Sequence, residues 1–281
     1  MLYSLIQKEF LKVFTKTRTY IGFIAIIILI PLTYIGIKFD QGRFITDSPD
    51  FEFLKQNFLI LGNLINGYFV AQIVMFFLMV HIPFLIALVA GDQVAGEATA
   101  GTLRMILIRP PSRNQIMFAK AAVTVIYTTL LVLFLAVFSL GLGVIMFGSG
   151  ELLVLEKGLI ILSKSQALTS FIFAYAFSIL AMNVVAGLAF LFSVLVENAI
   201  GPIVGTMAIV VISMIISETP IHLFEQIKPY LFTTYTNAWQ KAFLSPIPLS
   251  EIVSDAGCLM VFFIIFFGLA FIIFNKKDIL S

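Results

Sequence analysis

Five ionisable residues mark the stretch from Gly96 into the start of a long apolar run: Glu97, Arg104, Arg109, Arg113 and Lys120. The first four fall in Gly96-Glu-Ala-Thr-Ala-Gly-Thr-Leu-Arg104 and Arg109-Pro-Pro-Ser-Arg113, and Lys120 follows shortly after. One carboxylate among four cations, in a stretch of small residues, suits ion pairing and the gripping of a polar partner rather than bond cleavage. The patterns that carry catalysis are missing from the sequence. There is no GxxxxGK[ST] loop to cradle nucleotide phosphate, no HExxH helix and no GxSxG nucleophile elbow. The two histidines, His81 and His222, are far apart in sequence. The single cysteine, Cys258, excludes an intrachain disulfide and reads as a small buried hydrophobe. No catalytic site is expected on this chain.

The elements that must position these residues are membrane helices. The 281 residues are 60% hydrophobic and 11% charged, whereas soluble domains run nearer a quarter charged. Six stretches reach or approach the roughly 20 apolar residues needed to cross about 30 Å of hydrocarbon. They are Tyr20–Ile37, Tyr68–Ala90, Phe118–Phe147, Ser170–Val196, Ile203–Ser217 and Ala256–Phe274. The third exceeds what a bilayer requires and should project beyond it. Runs of this length exclude a β-barrel, whose strands are about 10 residues of alternating polarity. The expected fold is an all-α integral membrane protein, one transmembrane domain over residues 1–281.

Six spans place both termini on one side. That side carries ten basic residues against five acidic, and the other carries seven against ten. The positive-inside rule then predicts cytoplasmic termini and a cytoplasmic hinge over residues 91–117. The expected location is the inner (plasma) membrane of a prokaryotic cell. A cleaved signal peptide is not expected, because no small-x-small pattern follows the first apolar run. A net charge of +2 is too small to point to nucleic acid. Charged groups at depth mark ion or proton pathways, and the spans hold almost none. The chain therefore offers a membrane path without an energy source of its own.

Residues 1–18 read as an amphipathic elbow helix, with Leu2, Tyr3, Ile6, Phe10, Val13 and Phe14 on one arc and Gln7, Lys8, Lys12 and Lys16 opposite. Such a helix lies in the headgroup layer with its lysines over anionic lipid. Within the hinge, Pro110-Pro111 cannot lie in a helix interior, and Ser112 with Gln115 forms a capping-box pattern for the third span. A separate short helix is expected at Ala100–Ile108. Residues 218–255 read as an outer loop of short re-entrant helices, with Tyr230, Tyr235 and Trp239 at the membrane interface. Gly201 and Gly205 make a GxxxG spacing suited to close helix packing. His81, beside Pro83, and Asn183 are expected to hydrogen-bond between helices, and Gln72 to lie near a membrane end.

The segment Glu97…Gly101-Thr102-Leu103…Leu107…Pro110…Arg113…Lys120 resembles the signature of ABC-2 type permeases, the membrane subunits of ATP-driven exporters. Lys8-Glu9-Phe10 in an amphipathic leader, six spans with both ends inside, re-entrant pieces before the last span and a terminal Asn275-Lys-Lys-Asp278 are similar too. Ala119 departs from the pattern, which often has Gly before the lysine, and Arg104 stands at a position that is often acidic. The resemblance implies a dimer of two permease copies, identical or not, bound to two cytosolic ATPase subunits that carry the ATP and Mg; this chain would hold no cofactor. It implies that the helix at about Glu97 to Pro110 couples to the ATPase. Thr102, Leu103 and Arg104 would make contact, Gly101 and Pro110 would shape the hinge and Glu97 would anchor it. Arg113 and Lys120 would sit at the phosphate layer of the membrane. Gln72, His81 and Met207 are candidates for lining the substrate path. The alternative is a membrane scaffold or assembly factor that recruits a cytosolic protein through residues 91–117 without pumping. An intramembrane enzyme is disfavoured by the missing acid–base groups. The scarcity of buried charge points to an apolar or amphipathic cargo.

Overall fold

Six helices of the computed structural model are long and apolar enough to cross a membrane. The structure describes residues 2–40, 43, 65–102, 111–155 and 159–277. Helix α1 (Leu2–Phe14) precedes the first span, α2 (Thr17–Phe39). The second span, α3 (Gly67–Ala90), runs through Gly91 into the short α4 (Asp92–Thr99). The third is α5 (Arg113–Phe147), the fourth α6 (Lys164–Leu195), the fifth α7 (Gly201–Glu218) and the sixth α10 (Leu249–Lys276). Between the last two lie α8 (His222–Glu225), a 3₁₀ turn at Lys228–Tyr230, α9 (Phe232–Thr236) and a 3₁₀ segment at Asn237–Phe243. Each expected span matches one observed helix. The observed third and fourth begin earlier because polar capping boxes, Ser112 with Gln115 and Ser163 with Gln166, start them outside the apolar run. At 1.5 Å per residue α5 is about 50 Å long, so it projects beyond a bilayer as expected.

The fourth span is the centre of the bundle. In its most apolar stretch 78% of residues are buried, against 22% for α2, α7 and α10, whose outer faces are left for lipid or other protein. Apolar burial in lipid gains little, so packing and hydrogen bonds must hold such helices together. Small residues set the closest approach. A Cβ on Gly67 would lie 2.5 Å from the backbone of Gly143, and one on Gly143 would lie 2.7 Å from the backbone of Gly67. Here the start of α3 crosses the end of α5, and Gly67 N donates to Gly148 O at 2.8 Å. The Gly201–Gly205 spacing does not serve this purpose within the chain: a Cβ on Gly205 would meet only the Phe192 ring, at an ordinary 3.8 Å.

The two ends of the bundle differ. One end gathers α1, α4, the start of α5, the end of α6 and the end of α10. The other carries an antiparallel hairpin, β1 (Leu152–Leu155) with β2 (Leu159–Leu162), whose register pairs Leu152 with Leu162. The hairpin was not legible in the sequence because its strands are short and continuous in apolarity. The short helices before α10 also sit at this second end. Trp239 is not at an interface: it is 2% exposed, with its ring 4.9 Å from that of Phe76. Tyr230, by contrast, is 78% exposed. Aromatic contact with α3 and α6, including Phe243 against Phe171 at 5.0 Å, takes the tryptophan into the core. Cys258 is half-buried.

The crossing at Gly67 and Gly143 should be intolerant of added volume. Gly67→Ala is expected to cost about 1–3 kcal/mol by overpacking, whereas Gly141→Ala, with nothing within 4 Å of the added carbon, should be neutral. Thermal unfolding of the detergent-solubilised variants measures both.

Candidate functional site

The site is an ion cluster built by three elements at the first end of the bundle. Helix α1 lays Glu9, Lys12 and Val13 against α5, Glu9 and Val13 being buried. From the spacing of three and four residues these side chains share a face. Helix α4 presents Asp92 and Glu97, and α5 presents Lys120 from its second turn onward. Lys120 has no exposed surface. Its ammonium donates to Glu9 at 2.9 Å, to the Gln93 carbonyl at 3.1 Å and to Glu97. Glu97, 2% exposed, also accepts from Lys12. A second set adjoins it: Asp92 accepts from Lys16 at 2.7 Å and from Arg18 at 3.0 Å.

Charge balance explains why these groups tolerate burial. Glu9, Lys12, Glu97 and Lys120 sum to zero when ionised, and a buried charge is affordable only when paired and hydrogen-bonded. Burial pushes the Glu97 carboxyl up, but Lys120 and Lys12 beside it more than reverse this and hold it below the usual carboxylate range. One oxygen of Glu97, Oε2, is buried without a hydrogen-bond partner among the described residues.

The scaffold around the cluster is fixed by cap hydrogen bonds. No side chain of its own caps α4; instead the Ser193 hydroxyl of α6 accepts from Val94 N and Ala95 N, both at 2.9 Å. Thr99 Oγ1 donates to the Ala95 and Glu197 carbonyls. Arg113 donates to the Lys277 carbonyl at 3.0 Å, and Lys277 donates to the Val194 carbonyl at 3.1 Å. These bonds satisfy orphan groups at helix ends and tie α4, α5, α6 and α10 together. Gly96 leaves room for the Asp92 carboxylate, which would have to shift from a Cβ placed 2.3 Å away.

The expected site residues fare differently. Glu97 and Lys120 are brought together. Lys120 is enclosed by protein rather than turned to lipid phosphate, and Arg113 is engaged with the end of α10. Lys12 and Lys16 pair with acids of α4 instead of covering anionic lipid. The start of the hinge is occupied by α4, after which Ala100 and Gly101 form a turn with Gly101 at φ 65°. Gly supplies that conformation without strain. Leu103, Arg104, Arg109 and Pro110, and with them the rest of the helix expected at Ala100–Ile108, lie outside the described residues.

The candidate path residues are not assembled into one lining within a single chain. Gln72 is buried and His81 is exposed, as nine residues of helix, about half a turn out of phase, require. Met207 is half-buried on α7. His81 Nδ1 lies 2.7 Å from the Phe77 carbonyl of its own helix, so it does not bridge helices. Asn183 does reach a neighbour, Thr129 of α5, at 3.4 Å. Residues that sequence reasoning missed are Glu9, Asp92 and Ser193. The spacing of Glu9, Lys12 and Lys16 on one face, matched by Asp92 and Glu97 on the hinge, was the signal available for the first two. Nothing local marks Ser193.

The arrangement is a network of charge-assisted hydrogen bonds joining α1, α4 and α5. Among the described residues no group of three or more His, Cys, Asp or Glu side chains could hold a metal ion. The helices and cluster define a polytopic helical membrane protein whose N-terminal helix is locked by charge to the connection between its second and third spans. A family described as "Protein of unknown function (DUF2705)" matches residues 21–280, and the chain belongs to it. No curated protein matches the chain.

Removing the central cation should be far worse than removing a rim one. Lys120→Met strands the buried Glu9 carboxylate, leaves Glu97 with Lys12 alone, and is expected to cost about 3–5 kcal/mol. Lys16→Ala, at a side chain 38% exposed, should cost under about 1 kcal/mol. Because the Glu97 pKa is lowered on folding, its contribution is full above the unfolded carboxylate value of about 4.3. It is lost as pH falls through the lower folded value. Unfolding midpoints of wild type and Glu97→Gln, measured from pH 7 down to pH 3, should therefore converge at the acid end.

Proposed function

We propose that this protein is the permease subunit of an ATP-driven exporter of the ABC-2 type. It forms the translocation path as a dimer and couples to two copies of a separate cytosolic ATPase, which carry the ATP and Mg. The observation that carries the reading is the shared ion cluster. The connection between the second and third spans is clamped by Glu97 to α1 and to Lys120 of α5, so a push on the hinge is passed to three elements at once. A partner that binds one position of the hinge better than another would bias the bundle between two packings. The fit of Glu97, Gly101-Thr102-Leu103, Pro110, Arg113 and Lys120 to the permease signature supports the same conclusion. On this reading the ion-cluster end, both termini and the hinge are cytoplasmic, in the inner membrane of a prokaryotic cell, and α8 to the 3₁₀ segment at Asn237–Phe243 are re-entrant pieces at the outer side.

Two measurements test it. In a complex with the partner ATPase captured by co-purification, replacing Gly101, Thr102 and Leu103 together by alanine should abolish stimulation of ATP hydrolysis while membrane insertion persists. Unchanged co-purification and unchanged stimulation would overturn the coupling role and favour the scaffold. For orientation, Glu225→Cys in a Cys258→Ser background should react with an impermeant maleimide on intact cells. Reaction only after permeabilisation would invert the topology.

A further inference from the structure

The second span carries an ionisable side chain at depth. His81 stands ten residues before Gly91, where α3 gives way to α4 and the ion cluster. That is about 15 Å along the axis at 1.5 Å per residue, or half of a hydrocarbon core of about 30 Å. His81 therefore lies near the bilayer midplane. Its imidazole is exposed on the outward side of α3. Phe77 and Phe84, four residues before and three after, share that face, and Val80 adjoins it; all three are exposed as well.

One hydrogen bond fixes the state of the ring. A carbonyl oxygen can only accept, so the 2.7 Å contact with the Phe77 carbonyl makes Nδ1 the donor. Nε2 is then the unprotonated nitrogen, an acceptor, and it has no partner among the described residues. Lipid tails hold no donor to offer it, and a polar group left unbonded in hydrocarbon is costly. A long cationic side chain near a helix end can reach the headgroups; a short imidazole at the midplane cannot. Ionisable residues within spans face the bundle interior or a water-filled cavity. His81 turns away from the interior of its own bundle, which leaves water.

We propose that the outward face of α3 at His81 lines the translocation path, and that Nε2 accepts a hydrogen bond from cargo carrying a hydroxyl or ammonium donor on an apolar body. This rests on the exporter reading. The apolar body packs on Phe77, Val80 and Phe84, and the donor meets the nitrogen between them. A cargo whose polar end is acceptor-only, such as an ester, gains nothing from this nitrogen. Gln72 is buried inside the chain and is not part of this wall.

Cysteine reactivity tests the proposal on the full chain, carrying Cys258→Ser, in membranes of the cells that express it. No ATP hydrolysis is read, so failure here is distinct from failure of the coupling experiment. The reagent is the aminoethyl methanethiosulfonate MTSEA, which attacks the thiolate, a form that exists in water and not among lipid tails. His81→Cys and Phe84→Cys should react at least about tenfold faster than Leu133→Cys, at an exposed position of α5. Sphingosine, with hydroxyl and ammonium donors, should slow the modification of Phe84→Cys, and methyl palmitate, with none, should not. Adding His81→Leu should remove that protection while the thiol still reacts. Rates equal to that of Leu133→Cys would return this face to lipid and overturn the proposal. Equal protection by the two amphiphiles, or protection that survives His81→Leu, would overturn the acceptor role. Should Phe84→Cys misfold, Val80→Cys on the same side of α3 takes its place.

Discussion

A lysine ammonium with no access to solvent is the constraint around which this structure is arranged. Lys120 could be buried only if carboxylates came to it, and they come from two different elements, Glu9 on α1 and Glu97 on α4. Their arrival fixes where the N-terminal helix lies, how the chain leaves the second span and where α5 begins to be enclosed. The hydrophobic effect cannot do this within a bilayer, where lipid tails compete equally for apolar surface. Directional, charge-assisted bonds can.

The remaining hydrogen bonds elaborate the same end. Ser193 caps α4 from the central helix, Arg113 holds the last turn of α10, and Lys277 reaches back to α6. Three of these bonds come from residues distant in sequence, and the local Ser112–Gln115 box caps the start of α5. At the opposite end the Gly67–Gly143 crossing and the Trp239 and Phe243 rings stand beside the ion pairs of Lys241 with Glu251 and Asp255.

The spans were legible because hydrocarbon thickness dictates run length, and the Ser112 cap because its partner lies three residues on. The hinge was legible only as polar. Its helix α4 was not expected: Gly91 lets α3 continue into it, and the turn at Ala100 and Gly101 ends it. The fate of Lys12 on α1 was missed because amphipathicity reports which face is polar and not whether that face meets water, lipid or Glu97. Trp239 was misplaced for a related reason: an aromatic residue in a polar segment reads as interfacial until the rings of Phe76 and Phe243 are seen around it. Ser193 could not be found at all, since its role depends on a helix nearly a hundred residues away.

The pairing of Glu9 with Lys120 also bears on how the protein is made. The two are separated by 111 residues, so α1 is synthesised and the first two spans are threaded before its counter-ion exists. Until the third span is inserted, Glu9 must remain in water or among headgroups, and the amphipathic helix waits at the membrane surface. Closure of the ion cluster is thus a late step of biogenesis, and it marks the moment at which the first half of the bundle has been inserted in register.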